Sequence, residues 1–314
     1  MFRYSTGVRG EYMYKGIYIC GRKEKEIKIR ETLDRYFFER KETITITTRS
    51  SNNYSGMDNL MVVYIYEKPT DFNSEPDWVQ QNTTYKICYT NMEYVCKLIY
   101  TLWDKQNCGG GLSHRIIKEM INCDMLIQNG KDENVSNASY DLSLGAEYYY
   151  AGKIETLTEK NPFLAIEPYD YAITSCEERI MMPRDISARF DVSVNLFCQG
   201  VILSNSTQVD PGFEGKLVCL LFNTSNKVVY LKKGAHFTTI EFNKLIEPTT
   251  AYHGQYTDEE SIVQYLPVNS MQGGINELKK EIEELKTNAA KMQSIYISAL
   301  SIFVAILSIM LVLK

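Results

Sequence analysis

In the first third of the chain, short apolar runs alternate with amphipathic ones. Residues 16–20 (GIYIC) form a brief apolar run, and 59–67 (NLMVVYIYE) and 85–89 (YKICY) are continuous apolar runs of the kind found in strands buried on both faces. Residues 42–48 (ETITITT) alternate with a period of two, as a strand does. Between them, 23–40 carry Ile27, Ile29, Leu33, Tyr36 and Phe37 on a helical period, with charge elsewhere, and 91–105 (NMEYVCKLIYTLWDK) predict a second helix. Strand–helix–strand order predicts a small parallel α/β domain over 1–108, with Gly109-Gly110-Gly111 as the linker that follows it.

From 112 the pattern changes. A helix over 112–122 (LSHRIIKEMIN) opens a stretch of short β segments, with strands predicted at 139–150, 179–184, 217–223, 227–231 and 237–242. Turns at Asp210-Pro211-Gly212 and Lys233-Gly234 separate some of them. This pattern predicts an all-β unit, a barrel or jelly roll.

The C-terminal segment is the plainest signal. Ile295 to Leu313 is 19 residues without a charge; at 1.5 Å per residue it makes a helix of about 28 Å, close to a bilayer's hydrocarbon thickness. It is expected to span a membrane. The N-terminus lacks the apolar stretch of a signal peptide, so the segment is expected to be a tail anchor, with the preceding residues in the cytosol. Just before it, Ile275, Leu278, Ile282, Leu285, Ala289 and Met292 recur at alternating spacings of three and four, the seam of a short coiled coil.

Composition narrows the function. Apolar residues are 44% and charged residues 23%, an ordinary globular balance. A net charge of −5 argues against a nucleic-acid partner, which would call for a clustered basic excess. Eight cysteines in 314 residues are too dilute for a disulfide framework and are expected to be reduced and mostly buried. No C-x-x-C pair occurs and there are only three histidines, so no zinc or other metal site is expected. In the parallel domain, ligands would sit beyond the strands' carboxyl ends, at Cys20-Gly21-Arg22 and Glu67-Lys68-Pro69. Neither a G-x-G-x-x-G run nor a Walker loop is present.

Six motifs in order then carry a resemblance. Ser139-Tyr140-Asp141-Leu142-Ser143-Leu144-Gly145 follows the opening helix. After it come Leu164-Ala165-Ile166-Glu167-Pro168, Glu178-Arg179-Ile180-Met181-Met182-Pro183, Val209-Asp210-Pro211-Gly212-Phe213-Glu214-Gly215, Leu221-Phe222-Asn223 and Lys233-Gly234. Over about 135 residues the chain resembles the dCTP deaminase and dUTPase superfamily, and its leading helix and D-P-G turn place it nearer the deaminase branch. The resemblance implies a distorted jelly roll, a homotrimer with sites between subunits, and a pyrimidine deoxynucleoside triphosphate as ligand, with Mg²⁺ on its phosphates and no zinc.

The matching positions depart from the family where its chemistry lies. The deaminase run D-G-R-S-S-x-x-R-x-G aligns with Asp191 to Gly200. Ser193 and Cys198 stand at its arginines, and Val194 and Asn195 at its serines. The glutamate that activates water, ten residues beyond the D-P-G aspartate, is Leu220 here, and leucine cannot act as a general base. Asp210, the counterpart of the water-orienting aspartate of dUTPases, is the one retained catalytic candidate. Asp141, Asn195, Asp210 and Phe213 make up the expected nucleotide-binding set.

The chain is thus expected to be an α+β multidomain protein. A small α/β domain (1–108) precedes a dUTPase-like β domain (109–266), a linker and short coiled coil (267–294) and a transmembrane anchor (295–314). The trimer and nucleotide that the resemblance implies, with the departures in its catalytic run and the apolar C-terminal segment, lead to the expectation of a membrane-anchored, catalytically degenerate nucleotide binder acting as a sensor or effector scaffold. The alternatives are an active dCTP deaminase or dUTP diphosphatase, or catalysis in the N-terminal domain.

Overall fold

The computed structural model describes residues 14–39, 44–48, 60–68, 77–106, 108–204, 208–266 and 274–312. The N-terminal unit runs β1 (Gly16–Gly21), α1 (Lys23–Glu39), β2 (Thr45–Thr48), β3 (Leu60–Tyr66), α2 (Asp77–Asn82), β4 (Tyr85–Cys88) and α3 (Met92–Asp104). Its four strands are all parallel, in the order β2-β1-β3-β4. The continuous apolar run of β3 has the predicted cause. Met61, Val63 and Ile65 pack with Ile29, Leu33 and Phe37 of α1 and Leu98 and Ile99 of α3, whereas Val62, Tyr64 and Tyr66 pack on the opposite face with Tyr18 and with Val79 of α2. Asn91 caps α3 by accepting from the Glu93 amide at 2.8 Å. Residues 42–43 and 59 of the predicted strands, and Pro69, lie outside the described residues.

The β unit comprises β5 (Gly110–Gly111), α4 (His114–Ile121), β6 (Leu126–Gln128), β7 (Ser139–Tyr150), β8 (Lys153–Thr156), β9 (Phe163–Ile166), β10 (Tyr171–Cys176), β11 (Arg179–Met181), β12 (Ile186–Val192), α5 (Val194–Cys198), β13 (Val201–Leu203), β14 (Gln208–Val209), β15 (Glu214–Gly215), β16 (Val218–Asn223), β17 (Val229–Lys232) and β18 (His236–Lys244). Its main sheet runs β13-β16-β10-β7-β18-β12-β14, with β5 on β18 and β8 on β7; β15-β11-β6 and β17-β9 form two smaller sheets. The long β7 turns between its neighbours at Gly145, where a Cβ would lie 2.7 Å from the Ser175 carbonyl oxygen. That explains the glycine closing the S-Y-D-L-S-L-G motif. The strand predicted over 179–184 stops at Met181: the Met182 amide donates to Phe213 O instead (2.9 Å), and Pro183 has no amide to give.

The tri-glycine stretch is not a free linker, because Gly110 and Gly111 pair with Lys244 and Asn243 as a short strand. The two units share one continuous hydrophobic core. Their seam also holds a buried polar cluster in which Asp185 accepts from both Tyr85 of β4 and Lys244 of β18. The Cys88 amide reaches the Cys123 carbonyl across the same seam at 3.0 Å.

After β18 the chain folds back over the β unit. The Tyr252 amide donates to Pro211 O (2.9 Å), the Asp258 amide to Glu214 O (2.8 Å), and the Ile262 amide to the Glu147 carboxylate (2.7 Å). Beyond this strap, α6 (Gly274–Val312) is one helix of 39 residues joining the heptad segment to the apolar segment without a break. Lys280–Met310 within it is long and apolar enough to cross a membrane and is unburied in the chain. The hydroxyls of Ser298, Ser301 and Ser308 each donate to the carbonyl four residues back, which satisfies them within the helix. Leu278, Ile282, Leu285 and Met292 of the heptad seam are exposed; the side chain of Ile275 lies outside the described ones.

Candidate functional site

The D-P-G turn is built from its own sequence. The Phe213 amide closes it on Asp210 O at 3.1 Å, and Gly212 takes a φ of +76°. That conformation favours glycine, and a Cβ there would lie 2.5 Å from the Ala251 side chain. The returning strap is therefore pressed directly onto the turn.

Beside the turn is a cavity of about 330 Å³. Asp210 lies in its wall and accepts from Gln208 Nε2 at 2.8 Å. Phe213 lies there too, its ring 5.8 Å from that of Tyr252. The sheet contributes Phe190 of β12, Ile173 of β10, and Val218 and Leu220 of β16. The strap contributes Tyr252, Tyr256 and Tyr265, the last two stacked at 4.5 Å. Burial, with Tyr252, Tyr256 and Glu259 nearby, pushes the Tyr265 phenol up to about 12. Lys216 is the cation of the lining and pairs with Glu260 at 3.5 Å.

Two of the predicted site residues, Asp210 and Phe213, therefore meet in one cavity, and Leu220 lies in the same lining. The other two lie elsewhere in the chain. Asp141 is part of the sheet: it accepts from Thr239 on the neighbouring strand β18 (2.8 Å) and from Ser136 (3.4 Å). Asn195 is on the surface helix α5, where its side-chain oxygen accepts from Gln199 at 3.4 Å. In that helix Ser193 serves as the N-cap, accepting from the Leu196 amide, while Val194 and Phe197 are 77% and 64% exposed. Glu178, from the E-x-I-x-x-P motif, accepts from the Ser143 amide at 2.9 Å, and burial raises its carboxyl above the usual range.

The strap tyrosines, Gln208 and Lys216 were not legible as site residues, since nothing in their spacing marks them. Chemically, the lining offers one carboxylate, one ammonium and an apolar, aromatic remainder. A flat ring can rest on such a surface, but among the described lining residues no second carboxylate accompanies Asp210. Mg²⁺ is usually held by one or two carboxylates together with waters and substrate phosphates, and Asp210 could supply one such carboxylate to a phosphate-bound ion. Among the described residues no group of three or more His, Cys, Asp or Glu could hold a metal ion.

A family model described as dCTP deaminase-like matches residues 112–245. The dCTP deaminase of Pyrococcus horikoshii is 34% identical over 144 residues, covering 46% of this chain and 91% of its own length. That of Thermococcus kodakarensis is 36% identical over 137 residues, covering 43% and 87%. Among solved structures, the 2′-deoxycytidine 5′-triphosphate deaminase of Agrobacterium tumefaciens is 16% identical, with a TM-score of 0.39 over 43% of this chain and 48% of that one. The chain belongs to the dCTP deaminase/dUTPase superfamily, on its dCTP deaminase-like side. The matched family segment leaves both the N-terminal parallel sheet and α6 outside it.

Proposed function

We propose that this protein is a membrane-held, catalytically degenerate relative of the dCTP deaminases that binds a pyrimidine deoxynucleotide and acts as a sensor or effector scaffold. The observation that carries this reading is Leu220 in the lining of the Asp210 cavity, where the resemblance calls for a water-activating glutamate. Deamination at C4 needs a group that polarises water and shuttles its proton; a leucine beside Ile173 and Val218 does neither. The loss of arginine at positions 193 and 198 removes the charged donors that would grip a triphosphate.

The scaffold is a homotrimer in this reading. Exposed apolar side chains on α5 and along the heptad seam of α6 are surfaces for other copies of the chain. The apolar end of α6 crosses the membrane once, with the N-terminal units on the cytoplasmic face, and the parallel-sheet head recruits a partner or reads a ligand. A second reading, residual diphosphohydrolase activity, rests on Asp210, which is retained and hydrogen-bonded in the cavity.

The test is incubation of the full-length protein in detergent with dCTP, dUTP and the other common nucleotides, following binding and product together. Binding of a pyrimidine deoxynucleotide without product supports the proposal. Formation of dUTP or dUMP that vanishes in Asp210→Ala establishes the enzyme instead. Truncation before Ile295 should move the protein from membrane to soluble fraction and leave its oligomeric state unchanged.

A further inference from the structure

A second cavity, of about 270 Å³, lies at the seam between the parallel-sheet unit and the β unit. It lies outside the motifs that carry the family resemblance in one respect that matters: one wall comes from α2 and β4, which the family match does not reach.

The charges around it are unevenly settled. Lys86 pairs with Glu214, and Asp258 with Arg179. The nearby Asp185 is held by Lys244. Arg184 has no such carboxylate among the described residues: its Nε donates to Thr249 O at 2.8 Å and its Nη1 to Gln81 O at 2.6 Å. Carbonyls orient a guanidinium without cancelling its charge, and three of its five N–H groups remain. The wall therefore holds a fixed, uncompensated fork of the geometry that matches a carboxylate or phosphate. One part of the otherwise largely polar lining suits a flat ring, since Met181, Met182 and the Tyr252 ring supply apolar and polarizable surface. The Thr257 hydroxyl, also of this lining, is buried without a hydrogen-bond partner among the described residues, a group that a ligand could satisfy.

We propose that the seam cavity is a second ligand site, taking a small heteroaromatic acid whose carboxylate or phosphomonoester lies on Arg184 and whose ring lies against Met181, Met182 and Tyr252. The volume is at the small end for ligand pockets and limits the ligand to about the size of a nucleoside monophosphate. Tyr252 lines this cavity and the Asp210 cavity alike, whereas Arg184 and Met181 line only this one and Asp210 only the other.

Calorimetric titration of the full-length protein in detergent tests this with two probes, orotate for the carboxylate and dUMP for the phosphomonoester. Saturable binding of either probe is expected, and which of the two binds identifies the acid group. Arg184→Gln should weaken binding at least tenfold, and Met181→Trp, which fills the cavity without touching the Arg184 bonds, should abolish it. Asp210→Ala should leave it unchanged. Thermal unfolding of each variant confirms that it is folded. The proposal is overturned if neither probe binds the native protein, if binding survives both seam variants, or if Asp210→Ala removes it. Failure of dCTP and dUTP to bind would overturn the Asp210-cavity reading alone.

Discussion

Leu220 on β16 and Ile173 on β10 are direct cross-strand partners, and both line the cavity that holds Asp210. The position resembling that of the family's catalytic base is thus part of an apolar pair in a sheet. A carboxylate introduced there would meet Ile173 and Val218 and would have to be desolvated.

Leu220→Glu is accordingly expected to lower stability by about 1–3 kcal/mol and to leave dUTP formation from dCTP undetectable, because Val194 and Cys198 still depart from the family run. Chemical denaturation and a nucleotide product assay on the same variant check both halves. Robust deamination by this single variant would show that the rest of the site is intact.

The seam cluster predicts a graded pair of effects. Lys244→Met strands the fully buried Asp185 carboxylate next to Tyr85, and removal of one partner of a buried ion pair costs about 3–5 kcal/mol. Tyr85→Phe removes a donor to Asp185 and an acceptor for Lys244 but leaves the ion pair, and should cost less, about 1–3 kcal/mol. Because the cluster ties β4 to β18, urea unfolding of either variant should still show both units melting in one transition, at a lower midpoint.

Thiol chemistry should divide by burial. Cys108 and Cys198 are exposed and should react first with an alkylating reagent. Burial pushes the Cys96 and Cys176 thiols up to about 12 and Cys123 up to about 11, and raises Cys219 as well. These four, with the buried Cys20, should be labelled only after denaturation. Mass spectrometry of native and unfolded samples gives the order.

The strap should respond to alkali. The Tyr265 phenol lies at about 12 in the folded chain, against 10.0 unperturbed, chiefly through burial. The folded form therefore holds this proton more tightly, and the associated stability is complete below pH 10 and fades as pH rises through 12. Tyrosinate absorbance followed alongside Tm should show the loss in that window, with a smaller alkaline drop in Tyr265→Phe.

Much of this architecture was legible in the sequence because it is encoded locally. The β3 run is apolar on both faces since helices pack on one side and Tyr18 and Val79 on the other. The D-P-G turn declares itself through a glycine that the crowding of Ala251 makes necessary. What stayed hidden depends on distant partners. That Asp141 accepts from Thr239 across the sheet could not be read from the spacing of its motif. Gly110 and Gly111 have a linker's composition, yet the edge of β18 gives their backbone a ladder to join. The strap of 247–266 has no apolar period of its own and is held by backbone bonds to Pro211 and Glu214 and by tyrosine rings. Periodicity cannot report contacts of that kind.

The unbroken course of α6 has a mechanical consequence. No proline or glycine follows Gly274 within it, so nothing along its length acts as a swivel. Leu285 in the heptad segment and Phe303 in the apolar segment are eighteen residues apart, about five whole turns, and so lie on the same side of one rod. A twist applied in the heptad segment therefore arrives in the apolar segment with its phase intact. Any contact that selects one side of the heptad segment thereby selects the continuous side of the apolar segment as well.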